Sequence, residues 1–233
     1  MISVIIPTIL KIDRIYQTLK ELSECEEVGE IILIDNTSNN IPVNLPKLKY
    51  ICEGKNTYIN PAWNKGAELA TFDKLCFMND DIWFDWSYLK KISPFITEDI
   101  GMIGMGPDCY TEDAGEFVVS PVKPYPDPNP MFIESKIYRT DGYGCCFFIH
   151  KNNWDKIPND MKLWCGDDWI FYRMKKINYS ISGIKCDGYI SATLDSENLK
   201  NEFNPIKEND IRIMKELIKE NKIPNYIGGT IWN

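Results

Sequence analysis

The sequence lacks several features that mark whole classes of protein. It has one histidine among 233 residues, and its eight cysteines include no Cys-x-x-Cys pair, which argues against a structural zinc site. It has no run of about 18 apolar residues, the length that a transmembrane helix needs. It also has no dense Lys/Arg cluster, and its net charge is −8. We therefore expect no membrane span and no nucleic-acid partner.

The N-terminal residues MISVIIP have neither the charged lead nor the cleavage site of a secretory signal peptide. We therefore expect a cytoplasmic protein with reduced thiols. The chain is 44% hydrophobic and 26% charged, as globular proteins are. Its length suits one domain or two closely fused lobes.

Apolar runs and helical spacings alternate in the first third of the chain. Residues 3–7 and 30–35 are continuous apolar runs on either side of a segment with helical spacing, residues 11–24. Continuous runs are typical of parallel strands that are covered on both faces. Strands at 48–52 and 74–78, with a helix at 58–70 between them, extend the pattern. The sequence thus predicts an α/β fold in which Thr8 and Asp35 end neighbouring strands.

An amide and two acids, Asn79, Asp80 and Asp81, directly follow the predicted strand at 74–78. Ligands of open α/β sheets bind outside the carboxyl ends of the strands, and carboxylates are preferred ligands of Mg²⁺ and Mn²⁺. This turn is therefore a candidate site for a metal-bound nucleotide. The same residue types are also ordinary turn formers, so the turn taken alone supports either interpretation.

The rest of the chain has weaker patterns. We expect a helix at 83–96, strands at 101–105, 132–138, 145–150, 179–186 and 189–194, and helices at 168–177 and 205–222. Residues 107–130 contain six of the fourteen prolines and predict a long loop or lid. Asp167 and Asp168 stand at the start of a predicted helix, where acids are favoured by the helix dipole.

Taken in order, these segments resemble a family 2-type glycosyltransferase of the GT-A fold over roughly residues 1 to 200. The matching segments are VIIPT at 4–8, IDNTS at 34–38, Asn56, Asn60, Asn64, Gly66, NDD at 79–81, GYG at 142–144 and WCGDD at 164–168. The resemblance implies a Rossmann-like, mixed but mostly parallel central sheet flanked by helices. It implies a single GT-A domain at 1–204, with a nucleotide-sugar-binding half (1–105) and a small acceptor-side subdomain (106–204). A C-terminal helix and tail (205–233) would pack on it.

The resemblance also implies roles for the residues of the donor site. Pro7, Thr8 and Asp35 would contact the base and ribose of a nucleotide sugar, with a UDP-sugar favoured because Asp35 can accept the imide N–H of uracil. Further donor contacts would come from Asn56, Lys65, Asn79 and Asp80. Asp81 would ligate Mn²⁺ or Mg²⁺. The first acid of the family's Asp-x-Asp element is an amide here, Asn79.

In the acceptor half, the resemblance implies that Asp168 is the catalytic base and Asp167 its acceptor-binding partner. Trp164, Gly142 and Tyr143 would contact an acceptor hydroxyl compound, which could be a glycan, lipid or protein. Many relatives have a late histidine in the metal shell, and this chain has Asp187 in that region. Asp187 is therefore a second candidate metal ligand.

Three functions are consistent with these motifs. The first is an inverting, metal-dependent glycosyltransferase. The second is a sugar-1-phosphate nucleotidyltransferase, which the lack of a Gly-rich basic loop after the first strand disfavours. The third is a catalytically silent nucleotide-sugar-binding module, which Asn79 and the missing late histidine leave open.

Overall fold

Parallel strands dominate the first half of the chain, as its continuous apolar runs predict. A computed structural model of the protein describes residues 1–37, 44–110, 129–135, 142–187 and 197–223. The first half contains β1 (Ile2–Thr8), α1 (Ile15–Glu24), β2 (Val28–Asp35), β3 (Leu48–Cys52), α2 (Ile59–Leu69) and β4 (Lys74–Met78). β1 pairs in parallel with β2 and β4, and β2 pairs in parallel with β3.

The second half has mostly short elements and one long helix. They are β5 (Trp83–Phe84), α3 (Leu89–Ile92), β6 (Ile103–Met105), β7 (Met131–Ser135), β8 (Cys146–His150), α4 (Gly166–Arg173), β9 (Asn178–Ser182), β10 (Cys186–Asp187) and α5 (Glu197–Lys219). Eight strands form one sheet in the order β3-β2-β1-β4-β8-β6-β9-β7, and β5 pairs with β10 separately. Only β8 and β7 run against the other strands of the large sheet. The expectation of a mixed, mostly parallel sheet is confirmed.

Each face of the sheet is covered by its own apolar layer. On β1, Val4 and Ile6 face the layer that includes α1, whereas Ile5 faces the layer that includes α2, α4 and α5. Alternate residues of a strand point to opposite faces, so a strand covered on both faces must be apolar throughout. α2 lies close to the sheet at Gly66, where a Cβ atom would be 2.3 Å from Cγ2 of Ile5. A glycine at this position therefore allows the helix to approach β1.

Two predicted helices differ from the structure. The helix predicted at 83–96 is correct only in its later part, where α3 lies between two 3₁₀ turns over residues 86–95. Its start differs, because Trp83 pairs with Asp187 in the small sheet and Asp85 caps the first 3₁₀ turn by accepting from the Ser87 amide at 2.9 Å. The C-terminal helix begins at Glu197 and contains Pro205 in its interior, whereas we expected Pro205 to begin it. The strand predicted at 189–194 and most of the loop predicted at 107–130 lie outside the described residues.

Candidate active site

Three strand ends meet at one edge of the sheet. Thr8, at the end of β1, is the register partner of Asp35, at the end of β2. The Thr8 hydroxyl donates a 2.5 Å hydrogen bond to Oδ2 of Asp80, just past β4. Its Oγ1 atom accepts from the Leu10 amide at 2.9 Å. The predicted position of Thr8 and Asp35 at the ends of neighbouring strands is confirmed, and a side-chain hydrogen bond joins the end of β1 to the turn after β4.

The acidic turn is held from its other side by the chain before β8. The Asn79 amide donates to the Cys145 carbonyl at 2.9 Å. Asp80 and Asp81 are both partly buried. Burial raises the pKa of Asp80 to about 6, although the hydrogen bond from Thr8 opposes this rise. A nearby cation would favour the ionised form of such a carboxyl group, so the turn is electrostatically suited to one.

Asp35 lies deeper than the rest of this edge. It is fully buried, and its carboxylate accepts from the Tyr50 hydroxyl at 2.5 Å and from the Thr37 amide at 2.8 Å. The next residue, Asn36, lines both of the pockets described below. A carboxylate has about four acceptor positions, so these bonds leave Asp35 capacity for another donor. The predicted contact of Asp35 with a uracil base stays a prediction.

Two adjoining pockets open beyond the ends of β1 and β2. Both include Ile9, Asn36, Asn56 and Phe203 in their walls. The outer pocket adds Leu10, Lys11, Thr37, Gly54, Lys55 and Glu202. The inner pocket adds Pro7, Thr8, Tyr58, Ile59, Asp80 and Leu163. Of the predicted donor-site residues, the pockets thus bring together Pro7, Thr8, Asn56 and Asp80.

Aromatic rings form part of the pocket walls. Tyr58 precedes α2 with a φ of 67°. Its backbone amide donates a hydrogen bond to Oδ1 of Asn56 at 2.9 Å. Its ring meets the ring of Phe203, from α5, edge to face with centroids 6.3 Å apart. A non-glycine residue at positive φ is uncommon and is held there by its surroundings. Because Phe203 belongs to α5 and contacts this ring, the C-terminal helix is part of the site.

The positive charges of the pockets differ from those predicted. Lys11 and Lys55 line the outer pocket. Lys65, predicted to lie near the nucleotide or its diphosphate, pairs with Glu53 and is not a wall residue of either pocket. Lys11 and Lys55 are thus better placed to meet an anionic ligand.

The second acid pair stands in the first turn of α4. Asp168 is fully buried, whereas Asp167 is partly exposed. Asp167 packs against Gly144, where a Cβ atom would lie 2.1 Å from Oδ2 of Asp167. Gly144 adjoins Cys145, whose carbonyl binds the Asn79 amide. The two acidic segments are therefore linked through residues 144–145.

The predicted acceptor residues before β8 divide into turn and core. Gly142 has a φ of 76°, and its carbonyl accepts from the Tyr110 hydroxyl at 2.6 Å. Tyr143 is fully buried, and its hydroxyl oxygen lies 2.8 Å from the carbonyl oxygens of Met102 and Tyr179. Tyr143 thus supports the site from beneath and presents no surface to an acceptor in this structure.

Trp164 is partly exposed beside the acid pair. The Lys207 ammonium group lies 4.3 Å from the centroid of its ring. The backbone around Trp164 is bound by two helices. Its carbonyl accepts from the Asn60 side chain at 2.9 Å, and its amide donates to Asp210 at 2.8 Å. A sugar contact by this ring stays a prediction.

Asp187 pairs with Trp83 in the small sheet, and Trp83 follows the acidic turn by two residues. Its carboxylate lies 3.7 Å from Nη1 of Arg14, whose guanidinium group stacks 4.5 Å from the Trp83 ring. Burial raises the pKa of Asp187, while Arg14 opposes this rise. Among the described residues, no group of three or more His, Cys, Asp or Glu side chains could hold a metal ion. A Mg²⁺ or Mn²⁺ ion carried on a diphosphate needs only one or two protein carboxylates, and the donors at 79–81 fit that requirement.

Sequence comparison identifies the family. The glycosyl transferase family 2 model matches residues 3–156. The chain belongs to this family. The family that the sequence motifs predicted for this glycosyltransferase is confirmed. No curated protein sequence matches the chain significantly.

Solved structures share the fold of this glycosyltransferase. TarS 1-349 from S. aureus, in complex with UDP, is 14% identical with a TM-score of 0.57, and the match covers 97% of this chain and 75% of that one. The mannosyltransferase PcManGT from Pyrobaculum calidifontis, in complex with GDP-Man and Mn²⁺, is 12% identical with a TM-score of 0.55, covering 82% and 57%. The match to S. aureus TarS covers only 37% of that chain. These likenesses establish the GT-A fold that the sequence predicted.

Family membership decides among the three functions that the sequence left open: the chain is a glycosyltransferase. Within the described residues of this transferase, no helix is long and apolar enough to cross a membrane.

Sequence reasoning missed three residues around the site of this transferase: Tyr58, Phe203 and Asp210. Phe203 lies before the predicted start of the last helix, so its position was not considered. Asp210 was detectable, because it stands four residues before the buried Met214 and so shares its side of the helix. An acid on the apolar side of a helix is an unusual feature.

Proposed function

We propose that this protein transfers a sugar from a nucleoside diphosphate donor, preferentially a UDP-sugar, to a hydroxyl group of a glycan, lipid or protein. The observation that carries the proposal is the pair of adjoining pockets at the strand ends. The inner pocket contains the Thr8–Asp80 hydrogen bond, and the outer pocket contains Lys11 and Lys55. The aromatic walls formed by Tyr58 and Phe203 suit a nucleoside. Asp80, on the wall of the inner pocket, would place the metal-bound diphosphate at that end, and Lys11 and Lys55 add positive charge to the outer pocket.

The donor would bind with its base near Asn36 and Tyr58. Uracil can donate its imide N–H to a carboxylate oxygen, and Asp35 supplies one behind Asn36. Because Asp35 is fully buried, this contact requires the strand ends to open when the donor binds. The likeness to TarS in complex with UDP supports a uridine nucleotide, and the likeness to PcManGT in complex with GDP-Man makes a guanosine nucleotide the natural comparison.

Asp81, with Asn79 and Asp80 beside it, would hold Mn²⁺ or Mg²⁺ carried on the diphosphate. The bound ion would offset the negative charge that grows on the departing diphosphate. PcManGT in complex with Mn²⁺ supports this cofactor. We include Asp187 as a second ligand, and its pairing with Arg14 means that this role requires the carboxylate to leave the guanidinium group.

Asp167 and Asp168 would act on the acceptor. The acceptor hydroxyl must lose a proton as its oxygen attacks the anomeric carbon, and general-base catalysis contributes about 10²–10⁴-fold. Attack opposite the leaving group would invert the anomeric centre. The partial exposure of Asp167 suits acceptor binding, with Asp168 as the base. Since Asp168 is fully buried, this assignment requires the turn to open when substrates bind.

A thermal-shift panel tests the proposal. UDP, GDP and dTDP are each tested with Mn²⁺ or with EDTA at one concentration, and the nucleotide that binds more tightly should raise the melting temperature more. We expect the largest shift with UDP and Mn²⁺, and its loss in Asp81→Ala. Release of UDP from UDP-sugars should require Mn²⁺. A protein that binds none of the three nucleotides would contradict the proposal.

Two matched variants test the acid pair. Asp168→Asn should keep the UDP shift and lose turnover, because it removes the base and leaves the donor pocket intact. Asp167→Asn should keep more turnover and raise the acceptor KM. The reverse result would exchange the two roles.

A further inference from the structure

A buried acid on the C-terminal helix binds the segment that leads to the acid pair. Asp210 is fully buried. Its carboxylate accepts hydrogen bonds from three consecutive backbone amides, those of Lys162 at 3.0 Å, Leu163 at 2.7 Å and Trp164 at 2.8 Å. Backbone amides that bind an ionised carboxylate form strong hydrogen bonds. Asp210 therefore fixes the path of residues 162–164.

The same segment is bound from the opposite direction by α2. The Asn60 amide donates to the Lys162 carbonyl at 2.9 Å, and the Asn60 side chain donates to the Trp164 carbonyl at 2.9 Å. The backbone amides of the segment thus donate hydrogen bonds to α5, and two of its carbonyls accept hydrogen bonds from α2. Residues 162–164 are clamped between two helices that are far apart in sequence.

This clamped segment connects the two working parts of the site. Leu163 is a wall residue of the inner pocket. Cys165 follows with a φ of 62°, and α4 then begins at Gly166 with the two acids in its first turn. A non-glycine residue at positive φ persists only where its surroundings hold it. The Cys165 carbonyl accepts from the Trp169 amide at 2.9 Å, and the contacts to residues 162–164 constrain the backbone on the other side of Cys165.

We propose that Asp210 is a positioning residue of the transfer reaction. By binding three amides, it holds the backbone so that Cys165 keeps its left-handed conformation and Asp167 and Asp168 keep their place beside the donor pocket. The inference rests on the proposed function, since it requires the acid pair to act on the acceptor. Small displacements of catalytic groups are costly, with a misplacement of about 1 Å able to lower a rate about 100-fold.

The Asp210→Asn variant tests this role, with Glu208→Gln as the matched control. Asparagine keeps the shape of the side chain but turns an N–H donor toward amide donors. Glu208 is an exposed acid on the same helix, so its variant makes the same charge change without touching the segment. The first readout is the dissociation constant of UDP and of GDP, each with Mn²⁺. The second is kcat and KM for the release of UDP from UDP-GlcNAc and of GDP from GDP-mannose. Both are measured at a temperature where each variant is folded.

We expect Asp210→Asn to keep nucleotide dissociation constants within about threefold of the wild type and to lower kcat about 10- to 100-fold. Glu208→Gln should change neither quantity. Asp210→Glu, which keeps the carboxylate, should recover part of the lost kcat. A kcat of Asp210→Asn within about threefold of the wild type would overturn the inference, as would a loss of activity that a weaker nucleotide affinity fully explains.

A measurement on the wild-type protein needs no variant. The amides of residues 162–164 should exchange with deuterium slowly, because all three are hydrogen-bonded and the acceptor is buried. Rapid exchange would overturn the inference even if Asp210→Asn does not fold. If the wild type neither binds UDP or GDP nor releases a diphosphate, the proposed function fails, and this inference fails with it. If the wild type turns over normally and Asp210→Asn has the same kcat, this inference is overturned and the proposed function stands.

Discussion

The Thr8 hydroxyl donates a 2.5 Å hydrogen bond to the carboxylate of Asp80, 72 residues later in the chain. This contact joins the end of β1 to the turn after β4 in the wall of the inner pocket. Asp80 is partly buried beside this contact, and burial raises its pKa to about 6. A buried, ionised acid lowers the stability of the unliganded protein, and binding sites commonly have such residues.

We expect Asp80→Asn to be more stable than the wild type at neutral pH in the absence of metal. The pKa of Asp80 rises from its usual value of 3.8 to about 6 on folding, so the folded protein binds this proton more tightly than the unfolded chain. The contribution of Asp80 to stability therefore falls as the pH rises through this window and stays low above it. The variant should gain on the order of 1 kcal/mol at pH 7. Urea unfolding at pH 4 and pH 7 measures this, and an equal difference between variant and wild type at both values would contradict it.

Gly144→Ala should displace Asp167. A methyl group at position 144 would lie 2.1 Å from Oδ2 and 2.6 Å from Cγ of Asp167, so one of the two must move. Such overpacking costs about 1–3 kcal/mol. We expect lower diphosphate release with unchanged UDP binding.

A double-mutant cycle controls for other effects of Gly144→Ala. Removing the Asp167 carboxylate in Asp167→Ala clears the space that the new methyl group needs. The double variant should therefore be more stable than the sum of the two single changes predicts. Simple additivity would show that the contact with Asp167 is not the cause.

Phe203→Ala should weaken nucleotide binding. Phe203 lines both pockets and meets the Tyr58 ring, and the contact of a base with an aromatic side chain contributes about 1–3 kcal/mol. We expect the dissociation constant of UDP to rise about tenfold, which corresponds to about 1.4 kcal/mol. Calorimetric titration of UDP measures this change. Phe95→Ala is the control, because Phe95 is 41% exposed and stacks on Phe132 outside the pocket walls. Equal effects of the two variants would refute the assignment.

Glu30→Gln should destabilise the protein in a pH-dependent way. Burial alone would raise the pKa of Glu30, but hydrogen bonds from Lys49, Ser3 and the Thr71 amide outweigh burial and hold it below its usual value of 4.5. An acid whose pKa falls on folding adds stability that is fully present above its usual pKa and is lost as the pH falls through the lowered value.

At pH 7 we expect Glu30→Gln to lose about 1–3 kcal/mol of unfolding free energy. The loss should shrink as the pH falls below 4.5, because Glu30 is protonated first in the unfolded chain and, at lower pH, in the folded protein. The exposed Glu68→Gln on α2 is the control and should change stability little. A loss for Glu30→Gln that does not depend on pH would exclude the charged interactions as its cause.

Local patterns in the sequence were sufficient for the first half of the fold. The bounds of β3 and β4 agree with those predicted, because short apolar runs between polar turns have few alternatives. The register of Thr8 with Asp35 follows from the strand–helix–strand order and the handedness of its crossover. The motif order in this half also indicated the family correctly, since the family model matches residues 3–156.

Tertiary contacts decided what local patterns could not. Trp83 forms a strand because Asp187, about a hundred residues later, offers it a partner, and no helical spacing can reveal that partner. Lys65 was assigned to the diphosphate by resemblance, yet its ammonium group pairs with Glu53, since nearby acids compete for a flexible side chain.

The amino-acid sequence by itself determined the α/β order, the strand ends that carry polar residues and the family. The tertiary structure alone decided which α5 residues reach the site. Phe203 and Asp210 are seven residues apart, two turns of helix, and so lie on one side of α5. Where that side docks depends on packing against distant parts of the chain, because a helix periodicity specifies a buried face but not the surface that buries it.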